Sequence, residues 1–466
     1  MRPQKNQNLL LILLALALFF VSPVKAQVTV GSLDPPHEFS ILELVSNESG
    51  LRLPLLTEGE RDNLDLGILT DPNIIEAAEG LVIFNTTSGC LEFWSGKTKG
   101  WISLCASIPP LGSKKNPYLI LTPEQLDDVR NKPYAYYRVG QDIDLTSYLA
   151  SNIAGWLPIG DLSSPFTGSI DGDKHTISGL HIQRPTSGVA NIGLFGYIND
   201  GTVKDLKVEL SGNINGGTGT YVGGLAGRIS GNDGIISNCQ VTSVGAGEIH
   251  GGNYVGGIVG RVDIDGLVTG CYTSVVVVGS NGVGGVVGQI SSDASNERGG
   301  SVTNCYSIKD VTGTTGVGGV VGRVQRNGIV SNCYAQGAVK HTTGNSVNYV
   351  GGVVGRIDQN GKVSNCVALN SNVSTTFSTG VGRVTGYNDG GTLSNNWAFS
   401  NMIVTDQYGS VTTSGGAQNN LHGATIPSGS EILESWWTTA PTSGPGWIFN
   451  SNPWKWGANH PKFFWQ

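Results

Sequence analysis

A row of arginine and tyrosine residues occupies one fixed position of a glycine-rich repeat. The position follows the last glycine of each copy and holds Tyr197, Arg228, Arg261, Gln289, Arg323, Arg356 and Tyr387. Guanidinium groups bind carboxylates and sulfates through paired hydrogen bonds, and tyrosine rings pack against apolar faces such as those of sugars. The row therefore predicts a ligand-binding strip if it faces solvent. The alternative is a solvated face whose arginines pair with turn acids such as Asp233 and Asp265.

Cysteines define a second fixed position of the same repeat. Five of the seven occupy it: Cys239, Cys271, Cys305, Cys333 and Cys366. A metal or redox site would need several ligands close together, yet each cysteine is alone in its repeat and no CxxC pair occurs. We therefore expect a column of small buried side chains, with no cofactor and no metal. Cys90 and Cys105 instead flank a hairpin-like segment, and we expect them to form a disulfide in an exported protein.

Three further patterns favour structural roles. An asparagine one residue before the cysteine position predicts a hydrogen-bonded ladder at a corner: Asn238, Asn304, Asn332, Asn365 and Asn395. An aromatic stripe after that position favours packing over stacking on a glycan: Tyr272, Tyr306, Tyr334 and Trp397. The acids Asp200, Asp233, Asp263, Asp265 and Asp389 fit ordinary turn chemistry, with a Ca²⁺ site as the alternative.

Signatures of catalysis are mostly missing from the sequence. His37-Glu38 begins like a zinc-protease motif but lacks the second histidine, and neither GxSxG nor a P-loop occurs. We therefore expect a protein that is not an enzyme. A polysaccharide lyase or glycoside hydrolase working in a groove stays open, because such enzymes take acids or arginines from neighbouring coils.

The repeats themselves determine which fold must position these residues. The motif Val-Gly-Gly-[Leu/Ile/Val]-x-Gly recurs about every 30 residues, a spacing typical of solenoids. Its copies are Val222–Gly227, Val255–Gly260, Val283–Gly288, Val317–Gly322 and Val350–Gly355, with a shorter copy at Ile192–Gly196 and a degenerate one at Val381–Gly386. Turn lengths vary while the following strand keeps its register, as expected when every coil presents the same residue to one core.

This pattern predicts an all-β fold, a parallel β-helix of about seven repeats with coils of three short strands. A β-propeller is the alternative, but its blades usually need about 40 residues or more. Solenoid ends must be covered. Thr122-Pro123 begins a short helix suited to the N-terminal end, with Leu126 and Val129 inward. The tryptophan-rich residues 426–466 are predicted to be the C-terminal cap.

Composition and charge narrow the class of protein further. Glycine accounts for 69 of 466 residues, charged residues for only 14%, and the net charge is −7, which argues against helical bundles and nucleic-acid binding. Residues 1–26 have the basic start, apolar stretch and Val24-Lys25-Ala26 ending of a signal peptide. No other stretch is long and apolar enough to span a membrane. The expected parts are a module at 27–107, a linker at 108–113, first coils at 113–190, repeats at 191–425 and the cap.

The repeat motifs resemble a known family. IGLFG and VGGLAG, each followed by an NCY-like strand, are similar to GLUG repeats of Bacteroidetes surface proteins and of non-catalytic regions of IgA-cleaving metallopeptidases. The sequences GLRLPLLT, GLVIFNTTSGCLEFWSG and GWISLC within residues 50–105 resemble a surface-protein module similar to phage tail-fibre segments. The resemblance implies surface exposure, an adhesin-like role and a possible homotrimer formed by the N-terminal module.

The function predicted from these observations is binding at a bacterial surface. We expect an exported adhesin-like protein that presents an extended β-helix face to glycans or to host or bacterial surface proteins. The predicted ligand-binding residues are Tyr197, Arg228, Arg261, Arg323, Arg356 and Tyr387. Two alternatives remain: the polysaccharide-cleaving enzyme described above, and a structural stalk whose repeats only set its length.

Overall fold

The structure is a computed structural model of the chain. It describes residues 28–30, 42–44, 51–64, 66, 71–104, 110–185, 191–217, 221–291, 298–342, 348–411, 413, 416–441, 443–449 and 453–466. The predicted signal peptide lies outside these residues. The chain divides into two compact units, Met1–Pro109 and Pro110–Gln466.

The first unit is a small β-rich module. Its four-stranded sheet runs in the order Leu55–Leu56, Val82–Asn85, Cys90–Ser95 and Gly100–Ser103. Two short helices, Glu58–Asp62 and Pro72–Ala78, and a parallel pair of strands, Val28–Val30 and Leu42–Leu44, complete it. Thr57 and Glu60 form a capping box that fixes the start of the first helix.

The second unit is a parallel β-solenoid of about ten turns, so the predicted fold class is confirmed. One ten-stranded sheet runs along it, with the strands Thr392–Ser394, Lys362–Ser364, Ile329–Ser331, Ser301–Thr303, Leu267–Thr269, Ile235–Ser237, Thr202–Lys204, Ser169–Asp171, Tyr136–Val139 and Tyr118–Ile120. Three of these strands precede the glycine-rich repeats, which explains why seven copies of the motif accompany ten turns.

The glycine-rich motif itself forms two seven-stranded parallel sheets. The first contains Asn191–Ile192, Tyr221–Gly223, Asn253–Gly256, Asn281–Gly284, Thr315–Gly318, Val350–Gly351 and Val381–Gly382. The second contains Phe195–Asn199, Ala226–Ser230, Val259–Val262, Val287–Ile290, Val321–Val324, Val354–Asp358 and Thr385–Asp389. Each coil therefore adds one rung to each sheet, and the rungs are paired without a shift between the repeats.

The remaining strands form two parallel ladders that share Lys207–Asn215. The first ladder consists of Ile143–Asp144, Thr176–Gln183, Lys207–Asn215, Gln240–Ser243, Tyr272–Ser274, Tyr306–Ser307, Tyr334–Ala335, Val367–Ala368, Trp397–Ala398 and Ala424–Thr425. The second continues through Glu248–His250, Val276–Val278, Val311–Gly313, Val339–His341, Asn372–Ser374 and Ile403–Asp406, and it ends with Gly409–Ser410, which pairs antiparallel with Ile403–Asp406. A middle coil thus has five short strands, and the expectation of three was wrong because glycines and left-handed corner residues interrupt the longer runs.

The core is a stack of aliphatic side chains with the cysteines beside it. The aliphatic residue two positions after each turn glycine is fully buried in six coils and nearly so in the seventh: Val203, Ile236, Val268, Val302, Val330, Val363 and Leu393. The five repeat cysteines are free thiols and fully buried. Burial raises the pKa of the Cys239 and Cys305 thiols. Among the described residues no group of three metal-ligating side chains occurs.

Short helices and the C-terminal residues 426–466 pack against the coils of the solenoid. The helix Pro123–Asp127 begins at Thr122, whose hydroxyl accepts from the Gln125 N–H, and it buries Leu126. The other short helices are Asp128–Asn131, Thr146–Leu149, Ser430–Ile432 and Glu434–Thr438, the first and third being 3-10 helices. Residues 426–466 add the hairpin Trp454–Trp456 and Pro461–Phe463 and pack along the side of the coils over Tyr306 and Tyr334. In the parts of the chain described, no helix has the length and apolarity required to span a bilayer.

The backbone conformation at this corner explains why asparagine recurs there. Asn238, Asn304, Asn332, Asn365 and Asn395 all adopt the left-handed conformation, with φ between 50 and 55°. Asparagine tolerates this conformation better than other non-glycine residues, and the equivalent position of one coil is Gly270. Their amides also bond along the ladder, for example Asn332 Nδ2 to Asn304 Oδ1 at 3.3 Å.

We predict that N332A lowers the free energy of unfolding by about 1–2 kcal/mol, the usual cost of a left-handed backbone for a residue with a Cβ. N332G keeps the backbone free to adopt φ of 53° and is expected to lose less stability than N332A. Urea unfolding followed by circular dichroism measures both values. Equal losses in the two variants would show that the amide bonds, and not the backbone, select asparagine here.

Candidate functional site

The predicted strip exists as a continuous ladder on the second motif sheet. Neighbouring rungs pair in register from Tyr197 through Arg228, Arg261, Gln289, Arg323 and Arg356 to Tyr387. Each of these side chains except Tyr387 is followed by a buried aliphatic neighbour, because successive residues of a strand point to opposite faces. The four arginine side chains are 22–27% exposed, so they are partly open to solvent. We call this row the guanidinium strip.

Two aspartates each hold a pair of strip arginines. Asp263 Oδ2 accepts from Arg228 Nε and Asp263 Oδ1 from Arg261 Nε, both at 2.6 Å. We call these three residues the first clamp. The Asp263 side chain is only 4% exposed, so its carboxylate is largely removed from water. One carboxylate therefore orients two guanidinium groups and leaves one positive charge uncompensated within the clamp.

The second clamp repeats this arrangement three rungs further along. Asp358 Oδ2 accepts from Arg323 Nε at 2.6 Å, and Asp358 Oδ1 accepts from Arg356 Nε. Gln325 Nε2 adds a bond to Asp358 Oδ2 at 3.3 Å. In both clamps the interpretation that strip arginines pair with acids is correct, but the partners are Asp263 and Asp358 rather than Asp233 and Asp265.

Tyrosine rings cover the outer arginines of the strip. The Arg228 guanidinium lies 4.8 Å from the Tyr197 ring centre, and that of Arg356 lies 5.4 Å from Tyr387. Arg356 also lies 5.0 Å from Tyr349, whose ring stacks on Tyr387 at 4.3 Å. Cation–π contacts of this kind fix the planes of the guanidinium groups. The strip is thus preorganised before any ligand arrives.

Arg261 is the most enclosed arginine of the strip. Its Nη1 donates to the Tyr221 hydroxyl at 2.8 Å, and its guanidinium lies 5.2 Å from the Tyr221 ring centre. Burial acts to lower the pKa of Arg261, but the Asp263 carboxylate and Tyr221 outweigh it, so that this pKa is raised. By contrast, no described residue accepts a hydrogen bond from the terminal nitrogens of Arg228, Arg323 or Arg356.

Gln289 separates the two clamps and carries an unpaired acceptor. Its Nε2 donates to Gln325 Oε1 at 2.6 Å. Its Oε1 is buried and accepts no hydrogen bond within the described residues. A buried acceptor without a partner is costly, so a ligand hydroxyl placed here would gain a bond that the protein alone does not make.

Sequence reasoning missed Asp358, Tyr221 and Tyr349. The signal for Asp358 is the pattern Arg-x-Asp, shared with Arg261-Val262-Asp263, because residues two apart on a strand lie on the same face. The signal for Tyr221 and Tyr349 is their position directly before the first valine of the motif. Two clefts were also missed, one of 430 Å³ beside the first clamp and one of 620 Å³ beside Arg130.

The other candidate residues make packing and turn contacts. The stripe residues Tyr306, Tyr334 and Trp397 are buried under residues 426–466, as the packing interpretation predicted. Asp200 accepts from the Asp233 N–H, which fits turn chemistry. Cys90 is disulfide-bonded, while Cys105 lies outside the described residues, so the pairing of these two remains a prediction.

We predict that D358A lowers the free energy of unfolding by about 2 kcal/mol, because two partly buried guanidinium groups lose their shared acceptor. Asp389 lies on the next rung of the same sheet but is exposed, and D389A should change this energy by about 0.5 kcal/mol or less. Urea unfolding of the two variants measures the difference. A D358A protein as stable as D389A would show that the clamp is not an organising contact.

Comparison with known proteins places this parallel β-solenoid among repeat proteins. Residues 313–340 match the model of the GLUG motif, and residues 29–116 match the model of the phage tail like trimerisation region. The chain therefore carries a GLUG motif at residues 313–340 and a tail-like region at residues 29–116, and both predicted resemblances are confirmed.

Two further proteins are similar to part of the chain. A protein of Evansella cellulosilytica provisionally named Gly-rich membrane protein is 40% identical over 131 residues, which cover 26% of this chain and 14% of the relative. Halomucin of Haloquadratum walsbyi is 31% identical over 133 residues, covering 26% of this chain and 1% of halomucin. The chain thus matches only a small share of either relative.

One solved structure is similar to most of the chain. It is a crystal structure from Bacteroides ovatus provisionally named an immunoglobulin A1 protease. The comparison gives a TM-score of 0.48 and 22% identity, and covers 76% of this chain and 94% of that one.

Proposed function

We propose that this protein is an exported, adhesin-like binding protein whose guanidinium strip binds glycans or proteins at a cell surface. The observation that carries the proposal is the strip itself: four aligned guanidinium groups, oriented by buried aspartates and flanked by tyrosine rings. Groups held in place before binding lose little entropy when a ligand arrives, which favours recognition over a merely solvated face.

Surface location is the second part of the proposal. It rests on the predicted signal peptide and on the names of the relatives, one a Gly-rich membrane protein and the other halomucin. We further propose that the N-terminal module joins three chains, because residues 29–116 match a trimerisation region. Three strips in one assembly would raise the apparent affinity for a repetitive ligand.

A binding role suits the acids of the strip better than a catalytic one. A glycosidase needs two carboxyl groups that converge on a substrate. Asp263 and Asp358 instead lie on different clamps, and each is engaged by two arginines. Their geometry supports orientation of guanidinium groups, and the proposal assigns no reaction to them.

The test uses the purified chain on immobilised glycans and matrix proteins, with bound protein and released products read from the same wells. A strip variant replaces the arginines of both clamps with glutamine and Asp263 and Asp358 with asparagine, which avoids leaving buried carboxylates unpaired. The variant K309Q/K362Q makes the same change in net charge at exposed sites elsewhere.

We expect binding by the parent chain and the lysine control, loss of binding in the strip variant, and no product. Released product would replace the adhesin proposal with the enzyme. Binding that survives in the strip variant would place the recognition surface elsewhere, and no binding by any form would favour the stalk.

A further inference from the structure

The guanidinium strip has an internal symmetry that suggests its ligand. Its seven rungs read tyrosine, two arginines, glutamine, two arginines and tyrosine, so that Gln289 lies at the centre. Corresponding arginines of the two clamps lie three rungs apart, and three rungs of a parallel sheet span roughly 14 Å. A ligand that contacts both clamps must therefore be extended and must run along the solenoid axis.

The groups that remain available on the strip are hydrogen-bond donors. Each clamp aspartate accepts from both of its arginines, whereas the terminal nitrogens of Arg228, Arg323 and Arg356 find no acceptor in the described residues. Fixed guanidinium forks with free donors suit sulfate and carboxylate groups. The buried unpaired acceptor of the strip, Gln289 Oε1, suits a hydroxyl.

We infer that the strip is a two-site receptor for a linear acidic polysaccharide, which places one anionic group on each clamp and its hydroxyls over Gln289. The inference rests on the proposed function and adds the chemical class and the direction of the ligand. Tyr197 and Tyr387 close the two ends with rings that pack against sugar faces.

Each clamp has a further acid in its surroundings. The cleft at the first clamp is also lined by Asp200, and by Asp265, which pairs with Arg298 at 3.3 Å. The acid Asp200 lowers the local positive potential there. The second clamp instead receives the neutral amide of Gln325. Asp389, exposed on the rung next to Asp358, has the same effect at the second clamp, so we expect the two clamps to contribute comparably to the binding of an anion.

The experiment measures the affinity of the full chain for two heparin fragments, a dodecasaccharide and a disaccharide that is too short to reach both clamps. The first-clamp variant is R228Q/R261Q/D263N and the second-clamp variant is R323Q/R356Q/D358N. Each changes the net charge by one unit, as does the control K362Q. Circular dichroism confirms that every variant is folded.

We expect each clamp variant to weaken dodecasaccharide binding at least tenfold, because two linked contacts multiply rather than add. The two clamp variants should lose similar amounts of affinity, and K362Q less than twofold. The parent chain should bind two disaccharides, one at each clamp. Each clamp variant should bind one, with the affinity of the remaining clamp unchanged.

Two outcomes separate this inference from the proposed function. If both fragments bind equally well and respond equally to every clamp variant, the strip is a binding face but not a two-site receptor, and only the inference fails. If neither fragment binds the parent chain, or if the clamp variants bind like K362Q, the inference fails as well. The panel experiment then decides by itself whether the strip binds another ligand.

Discussion

Replacing Gly322 with alanine is expected to lower the free energy of unfolding of the solenoid by about 3 kcal/mol, near the upper end of the usual cost of overpacking. A Cβ at this position would lie 2.3 Å from the backbone nitrogen of Val283 and 2.4 Å from the backbone carbon of Gly282. Both atoms belong to the strand Asn281–Gly284 of a neighbouring coil, which is hydrogen-bonded on both sides. The strand cannot move away without breaking its own pairing.

Gly212 provides the matched control within the same solenoid. A Cβ there meets only the His181 side chain, at an ordinary contact distance of 3.4 Å, and its backbone is extended. G212A should therefore stabilise the protein or leave it within about 1 kcal/mol of the parent. Thermal and urea unfolding compare the two variants. A G322A protein as stable as G212A would contradict the close backbone contact between coils.

The W437A variant is expected to detach residues 426–466 from the side of the coils, at a cost of about 3–5 kcal/mol. Trp437 is fully buried, its ring lies 4.8 Å from Trp447 and 5.9 Å from Tyr334, and its Nε1 donates to the Glu431 carbonyl. Removal of this ring opens a cavity between the segment and the aromatic ladder. Limited proteolysis with mass spectrometry should then show early cleavage within the segment, while the repeat coils stay intact.

Phe464 lies in the same segment but is 56% exposed, so F464A serves as the control. It should change the stability by about 0.5 kcal/mol or less and leave the cleavage pattern unchanged. Should W437A and F464A be cleaved at the same rate as the parent, the aromatic cluster would not be what holds the segment to the coils.

The fold was predictable because the repeat places equivalent residues at equivalent positions. A fixed distance between the turn glycine, the aliphatic residue and the cysteine implies one strand register, and the structure has it in every repeat. The packing of residues 426–466 was harder to predict, because its contacts are not periodic. The bond from the Tyr306 hydroxyl to Gln466 joins residues that are 160 positions apart. The sequence predicted that residues 426–466 form a C-terminal cap, whereas the structure packs them along the side of the coils.

The row of side chains in the candidate site could be predicted from the sequence. The aspartates that pair with its arginines could not. The register alone aligns Arg228 with Arg261 and Arg323 with Arg356. Which acid holds them depends on side-chain geometry. Asp233 and Asp265 were the expected partners, whereas Asp263 and Asp358 lie two residues after a strip arginine on the same strand face.

Arginine footprinting of the chain with and without bound heparin tests most directly whether the guanidinium strip is the binding site. Phenylglyoxal modifies accessible guanidinium groups, and mass spectrometry reads each site. We expect protection of Arg228, Arg323 and Arg356, while Arg138, exposed on the ten-stranded sheet, reacts equally in both samples. If Arg138, or Arg130 beside the 620 Å³ cleft, were protected while the strip arginines stayed reactive, binding at the strip would be contradicted.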